Sequence, residues 1–319
     1  MKEQGLSPKR AQTDGRRQLK GAAMTMAGAA CWGFSGCCGQ FLFENRGVQA
    51  PWLVALRLLI AGLFLIINGF ILNGKGNVRI FRRKRDLAHM LLFGLAGITF
   101  CQFSYFMAVQ STNAGTATVL QYLSPVLILL LVCAGNRRRP EGAEILAIVL
   151  SLAGTFLIGT HGNLHSLQLT PQGLAWGLLA AVSAVIYTMM PGTLVNRYDI
   201  YQVLGFGMFF GGIFMCLLVR PWNYQVVWDT ATWGAMAGVI FVGTAVAFSL
   251  YLQGVSIIGP LKGSLYSGME PVSSIVISVL WLGTSFTAPD LAGFALIMAT
   301  VWLLALRGKR ESGSGTARN

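Results

Sequence analysis

Residues 113–135 read NAGTATVLQYLSPVLILLLVCAG, and Arg137, Arg138 and Arg139 follow almost at once. A bilayer core about 30 Å thick is crossed by about 20 apolar residues in a helix. This run has that length, carries no charge, and stops at a cluster of cations. Ser124-Pro125 sits in its middle, where proline removes a backbone donor and leaves carbonyls that need a neighbour or water. The stretch therefore reads as a spanning helix with an interruption at mid-depth. Working outward from it, ten such runs lie near 21–43, 51–74, 87–110, 113–135, 142–161, 172–193, 201–220, 231–256, 260–283 and 288–306. The fold class that follows is an all-α membrane protein of ten transmembrane helices.

Composition agrees with that reading. Hydrophobic residues make up 54% of the 319 and charged residues 11%, against roughly 25% charge in soluble domains. The net charge of +13 is sorted rather than spread. If ten helices alternate, 21 of the 24 Lys and Arg fall on one side: those before Gly21, in the 75–85 connection, at 137–139, Arg197, Lys262, and those from Arg307 on. Arg46 and Arg220 fall on the other side, and Arg57 lies within a run. That asymmetry places the basic side, with both termini, in the cytoplasm. It explains the charge without nucleic acid, so the expected partners are the lipid bilayer and a small-molecule substrate. Residues 1–20 read as a disordered cytoplasmic tail and 307–319 as a second tail.

The chain also repeats. A shift of 146 residues brings Tyr105 onto Tyr251, Val109 onto Val255, Pro125-Val126 onto Pro271-Val272, Glu144 onto Asp290 and Leu150 onto Leu296. Asn45-Arg46 recurs as Asn196-Arg197 at a slightly different offset. The halves are 21–161 and 172–306, five helices each. An odd number forces the second copy to insert upside down. Inverted repeats with a central cavity are the architecture of many secondary transporters, in which one half rocks against the other. Gly207-x-x-x-Gly211, Gly234-x-x-x-Gly238 and Gly259-x-x-x-Gly263 read as packing surfaces and not as a dimer signal.

Several of these residues resemble a known family. Cys31-Trp32-Gly33-Phe34-Ser35-Gly36, Arg57-Leu58-Leu59-Ile60-Ala61-Gly62-Leu63, the 114–126 segment and Met269-Glu270-Pro271-Val272 are similar to motifs of the EamA family within the drug/metabolite transporter superfamily. The phrasing is most similar to its bacterial inner-membrane branch. The resemblance covers about 21–306 and implies two inverted five-helix EamA repeats around a central cavity. It also implies transport, often export, of amino acids or related metabolites. A Gly-Glu pair often closes helices four and nine in the family. Here Gly135-Asn136 and Gly283-Thr284 stand instead, so no role of that glutamate carries over.

Two charges lie deep in the runs. Glu270 is close to the bilayer midplane, and such a group is expected to face a cavity, as a substrate anchor, a proton carrier or a structural partner. Arg57 lies about 9 Å inside its run and either snorkels outward or holds a neighbouring helix. Lys262 lies near the cytoplasmic boundary and snorkels. Trp32, Gln102, Tyr105, Gln121, Tyr187 and Tyr251 are amphipathic groups at intermediate depth, the set an apolar pocket needs to orient a small solute. Ser35, Thr116 and Thr118 add hydroxyls that either join them or bond their own helix. Helices three, four, eight and nine are expected to line the cavity.

Other functions fit less well. Cys31, Cys37, Cys38, Cys101, Cys133 and Cys216 form no C-x-x-C, and His89, His161 and His165 are scattered, so no metal or cofactor is expected. No phosphate-binding G-x-x-x-x-G-K-[ST] occurs. A membrane enzyme needs a clustered catalytic set, and a channel needs rings of like charge or a carbonyl filter. A lipid scramblase and a receptor-like binder remain open to this sequence. The leading reading is a secondary transporter of small organic metabolites at the inner membrane.

Overall fold

The computed structural model describes residues 8–160, 169–195, 197–258, 263 and 266–315. The readings placed on His161, His165, Asn196 and Lys262 lie outside the described residues. Helices form where the apolar runs predict them: α1 (Pro8–Arg46), α2 (Ala50–Asn73), α3 (Lys84–Ser111), α4 (Ala114–Gly135) and α5 (Gly142–Thr160). After the midpoint come α6 (Pro171–Met189), α7 (Ile200–Val219), α8 (Thr230–Ile258), α9 (Met269–Leu282) and α10 (Ala288–Gly315). No strand occurs among the described residues. Six of the helices, α2, α3, α4, α6, α7 and α8, are long and apolar enough to cross a bilayer, and α5, α9 and α10 contain shorter apolar stretches. Large apolar side chains such as Ile71, Leu217, Leu218 and Leu280 are exposed, as a lipid-facing surface requires. This is a multi-pass membrane protein. Helix α1 is less apolar for a structural reason: residues 28–43 are all buried or half-buried among other helices. Helix α1 already begins at Pro8 and α10 runs to Gly315, so helix extends into both stretches expected to be tails.

Local chemistry fixes where the helices start. The side chains of Asn113, Thr170, Asp199 and Asp229 accept backbone N–H bonds from Thr116, Gly173, Tyr201 and Thr232. Each satisfies a donor that a helix N-terminus leaves free. Helix α4 is broken as its proline requires: it stops at Gln121, turns at Tyr122-Leu123 and restarts at Ser124. The segment before α9 turns at Ser267-Gly268, one residue ahead of the matching place in the 146-residue register. The register carries one feature that had no sequence signal. Helix α3 is wound as a π-helix over Phe93–Thr99 and α8 over Gly238–Val246, and Phe93 and Thr99 shift onto Val239 and Ala245.

The most extensive helix contacts all run between the two halves: α2 with α7, α1 with α8, α5 with α10, α1 with α9 and α3 with α6. Exchanging the halves turns α1–α8 into α6–α3 and α1–α9 into α6–α4, all of which are present. Ala114–Gly135 also meets Met269–Leu282, a contact that maps onto itself. At α5–α10, Gly154 and Gly293 face each other so closely that a Cβ on either sits 2.7 Å from the other's carbonyl oxygen. Helix direction is readable from contact order. Gly36 and Gly39 meet Tyr105 and Phe106, so α1 and α3 run parallel. Ser104 bonds Ser183 and His89 bonds the Met190 carbonyl, so α6 runs opposite to α3, and hence to α1.

The repeated Asn-Arg pair also finds a structural use. Arg46 at the end of α1 donates to Asp229, the cap of α8, at 2.7 Å. Arg197 approaches Asp86 in the first turn of α3 at 3.5 Å, and Tyr198 donates its hydroxyl to the same carboxylate at 2.7 Å. The first connection of each half is thus tied to the third helix of the other. Backbone and hydroxyl bonds from Thr232, with the Arg46 guanidinium, hold the Asp229 carboxyl down at about 2, below its usual value of about 4. A lowered folded-state value means Asp229 stabilises the fold above the unfolded value and loses that effect as pH falls toward about 2. Asp229→Asn is therefore expected to lower thermal stability by a constant amount between pH 5 and 8. The gap from the wild type is expected to shrink below about pH 4, as melting curves across pH will show.

Candidate functional site

Glycine lets α1 approach its neighbours where the site forms. A Cβ on Gly33 meets Ser273 Oγ and sits 2.6 Å from the Glu270 carbonyl oxygen, and one on Gly243 meets Ser35. With α1 drawn in, a cavity of about 480 Å³ forms beside the break in α4 and the start of α9, with α3 and Phe248 of α8 in its wall. That volume suits a small organic solute.

Helix α1 contributes Trp32 and Ser35 to the wall, and Ser35 Oγ also donates to the Val239 carbonyl at 3.4 Å. Helix α3 contributes Cys101, Gln102 and Tyr105, and the Tyr105 hydroxyl bonds Thr118 Oγ1 at 3.0 Å. Gln121, at the break in α4, donates to Cys101 Sγ at 3.6 Å. Tyr187 of α6 stacks on Phe93 of the α3 π-helix, with centroids 5.8 Å apart. The wall thus takes residues from α1, α2, α6 and α10 as well as from α3, α4, α8 and α9.

Both deep charges reach this space. Arg57 of α2 is 6% exposed and points inward instead of snorkelling. Its Nη2 donates to the Gly243 carbonyl of the α8 π-helix at 3.5 Å, and its guanidinium lies 5.1 Å from the Phe106 ring centre. Glu270 stands in the first turn of α9 and accepts a bond from the Tyr122 hydroxyl at 3.3 Å. That single hydroxyl proton is shared with the Ser267 carbonyl, the closer acceptor at 2.7 Å, so the turns in the two broken helices touch. Arg57 and Glu270 line the same cavity but are not within ion-pair distance of each other.

Of the residues singled out from sequence, the cavity wall leaves out Thr116 and Thr118, and it also leaves out Tyr251. Tyr251 lies beside α1, against Gly28, and backs the Trp32 ring at 4.9 Å, while Phe248 lines the wall one turn away. Thr118 bonds the Ala114 carbonyl of its own helix at 2.7 Å. Sequence reasoning missed Tyr122, Ser124, Pro125, Phe248 and Ser267 as wall residues. The proline break in α4 was the available signal for Tyr122 and Ser124. Among the described residues no group of three or more His, Cys, Asp or Glu could hold a metal ion.

A cavity of this build, in a multi-pass membrane fold whose halves exchange, fits a membrane transporter. The chain belongs to the EamA-like transporter family, whose profile matches residues 19–160 and again 171–306. It is 37% identical over 297 residues to an uncharacterized inner membrane transporter, YicL, of Salmonella typhimurium, covering 92% of this chain and 97% of that one. It is 27% identical over 242 residues to a probable terminal-alkyne amino-acid exporter of Streptantibioticus cattleyicolor, covering 74% and 80%. A crystal structure 19% identical in sequence superposes with a TM-score of 0.57, covering 94% of this chain and 98% of that one. That last likeness concerns the fold alone.

Proposed function

We propose that the protein is a secondary exporter of small zwitterionic metabolites, amino acids among them, working by alternating access at the inner membrane. The observation that carries this is the pair of opposite, mutually unpaired charges, Glu270 and Arg57, in one apolar-walled cavity. Buried charges are costly without partners. An ammonium on Glu270 and a carboxylate on Arg57 supply both, while Trp32, Phe248 and Tyr187 take the apolar body. The amino-acid exporter among the relatives supports the substrate class and the direction.

The architecture we infer is ten spans in two inverted five-helix repeats. The opposed directions of α1 and α6 and the exchange of helix pairs support it. Because the halves interlock, the groups that move take helices from both: α1 with α8 and α9 on one side of the cavity, α3 with α4 and α6 on the other. This replaces the rocking of one sequence half against the other. The charge asymmetry puts both termini and Arg82–Arg85 in the cytoplasm. Lys84→Cys in a cysteine-free chain is then expected to resist an impermeant thiol reagent in intact cells and react once the membrane is opened. Labelling in intact cells sinks the orientation.

Counterflow in proteoliposomes tests the function. Saturable exchange of labelled amino acids, competed by other zwitterions and weakly by the matching amines, is the expected result. Ohmic current without saturation indicates a channel, and chemical conversion of the solute indicates an enzyme.

A further inference from the structure

Gln40 lies two turns along α1 from Gly33, is 2% exposed, and has its whole amide engaged. Nε2 donates to Glu44 Oε1 at 2.9 Å and to Thr284 Oγ1, just past the end of α9, at 3.0 Å. Oε1 accepts a bond from Ser278 Oγ of α9 at 3.4 Å. The same oxygen accepts the backbone N–H of Ala114, the first residue of α4, at 2.9 Å. The first three bonds stay within the group of α1 and α9. The fourth crosses to α4, in the opposite group. Next to it Gly115 packs beneath Phe286 and Ile275, where a Cβ comes within 2.8 and 3.1 Å. This layer lies between the helix breaks that floor the cavity and the ends of α1, α4 and α9 that the charge asymmetry places outside.

We propose that Gln40 is the latch of the outer gate, closing the cavity by holding the Ala114 N–H of α4 against α1 and α9. The proposal rests on the transport reading of that cavity and on its orientation. Its physics is a difference between two states. The Ala114 N–H is one of the donors a helix N-terminus cannot satisfy internally. With the gate shut, Gln40 is its partner in a dry layer; with the gate open, water takes over both groups. A polar latch is therefore satisfied in either state and opens reversibly. A side chain that cannot accept leaves the Ala114 N–H unpaired in the closed state alone, and that difference moves the population toward the outward-open form.

The test uses the full chain with Cys101, in the cavity wall, as its only cysteine. An impermeant thiol reagent is applied to right-side-out and to inside-out vesicles. Gln40→Leu is expected to raise the outside labelling rate about tenfold, the effect of one or two net hydrogen bonds lost from one state, and to slow labelling from the cytoplasmic side. Gln40→Asn, one methylene too short to span the gap, is expected to shift both rates the same way by less, and serves where Gln40→Leu fails to fold. A purely structural role moves the two sides together. Rates unchanged in both folded variants, or a rise on the cytoplasmic side, overturn the latch. Wild-type Cys101 reached from neither side means that the cavity is off any transport route, and both the latch and the transport reading then fall.

Discussion

Glu270→Gln is expected to weaken binding of a zwitterionic substrate by about 30-fold or more, because truncating one member of a buried charge pair costs about 2 kcal/mol at the least. The glutamine keeps the size and still accepts the Tyr122 hydroxyl bond, so folding and expression stay near the wild type. Flux through the variant is also expected to lose its dependence on a pH gradient. An empty cavity leaves the carboxylate with only a share of the Tyr122 hydroxyl bond, and a proton taken up on the return step neutralises it. The companion Arg57→Gln separates the two ends of the ligand. Glu270→Gln weakens an amino acid and its decarboxylated amine alike, whereas Arg57→Gln weakens the amino acid and spares the amine. Equilibrium binding of such matched pairs, with flux at several external pH values, reads all of this. Normal affinity and unchanged pH dependence in Glu270→Gln remove the carboxyl from both binding and coupling.

Those charges were legible in the sequence because lipid makes them conspicuous. An acid or base within an apolar run has few places to go; Glu270 reaches the cavity wall, and Arg57 reaches it as well, where the sequence alone points to snorkelling or a hold on a neighbouring helix. The breaks were legible for the same kind of reason: Pro125 cannot continue the backbone bonds of α4, and the helix restarts beside it. Tyr122 was not, since tyrosine also serves as an interface residue and its role depends on Ser267 and Glu270, more than 140 residues away. Gln40 was hidden likewise, its four partners lying on three helices and the connection after α9. The π-helices left no mark in composition. Tyr251 shows the limit of depth as a guide, because it sits at the right level but meets α1 instead of the cavity. Lipid-facing length is readable; the azimuth of a side chain is set by which helices pack together.

Gly33→Val is expected to cost the most of any single change to the fold around the site. Even a Cβ on Gly33 lies 2.6 Å from the Glu270 carbonyl oxygen and 2.8 Å from the Ser274 nitrogen, both backbone atoms that no rotamer can move aside. Helix α1 must therefore back away from α9 along the line that carries Cys37 to Ser278 and Gln40 to Thr284. Overpacking costs about 1–3 kcal/mol where flexible side chains give way, and backbone against backbone puts this site at the top of that range or above it. The yield of monodisperse protein is expected to fall sharply, and the material that survives should lose substrate binding because Glu270 and Trp32 are no longer held together. Gly234→Ala supplies the opposite sign. Gly234 is an exposed residue of α8 with nothing within 4 Å of its Cβ position, and alanine there is favoured by about 1 kcal/mol in helix propensity. Thermal stability in detergent is expected to hold or rise in Gly234→Ala and to drop in Gly33→Ala, with Gly33→Val lower still. Equal melting curves for Gly33→Ala and Gly234→Ala would show that α1 does not touch α9 at Gly33, and the cavity geometry would have to be redrawn.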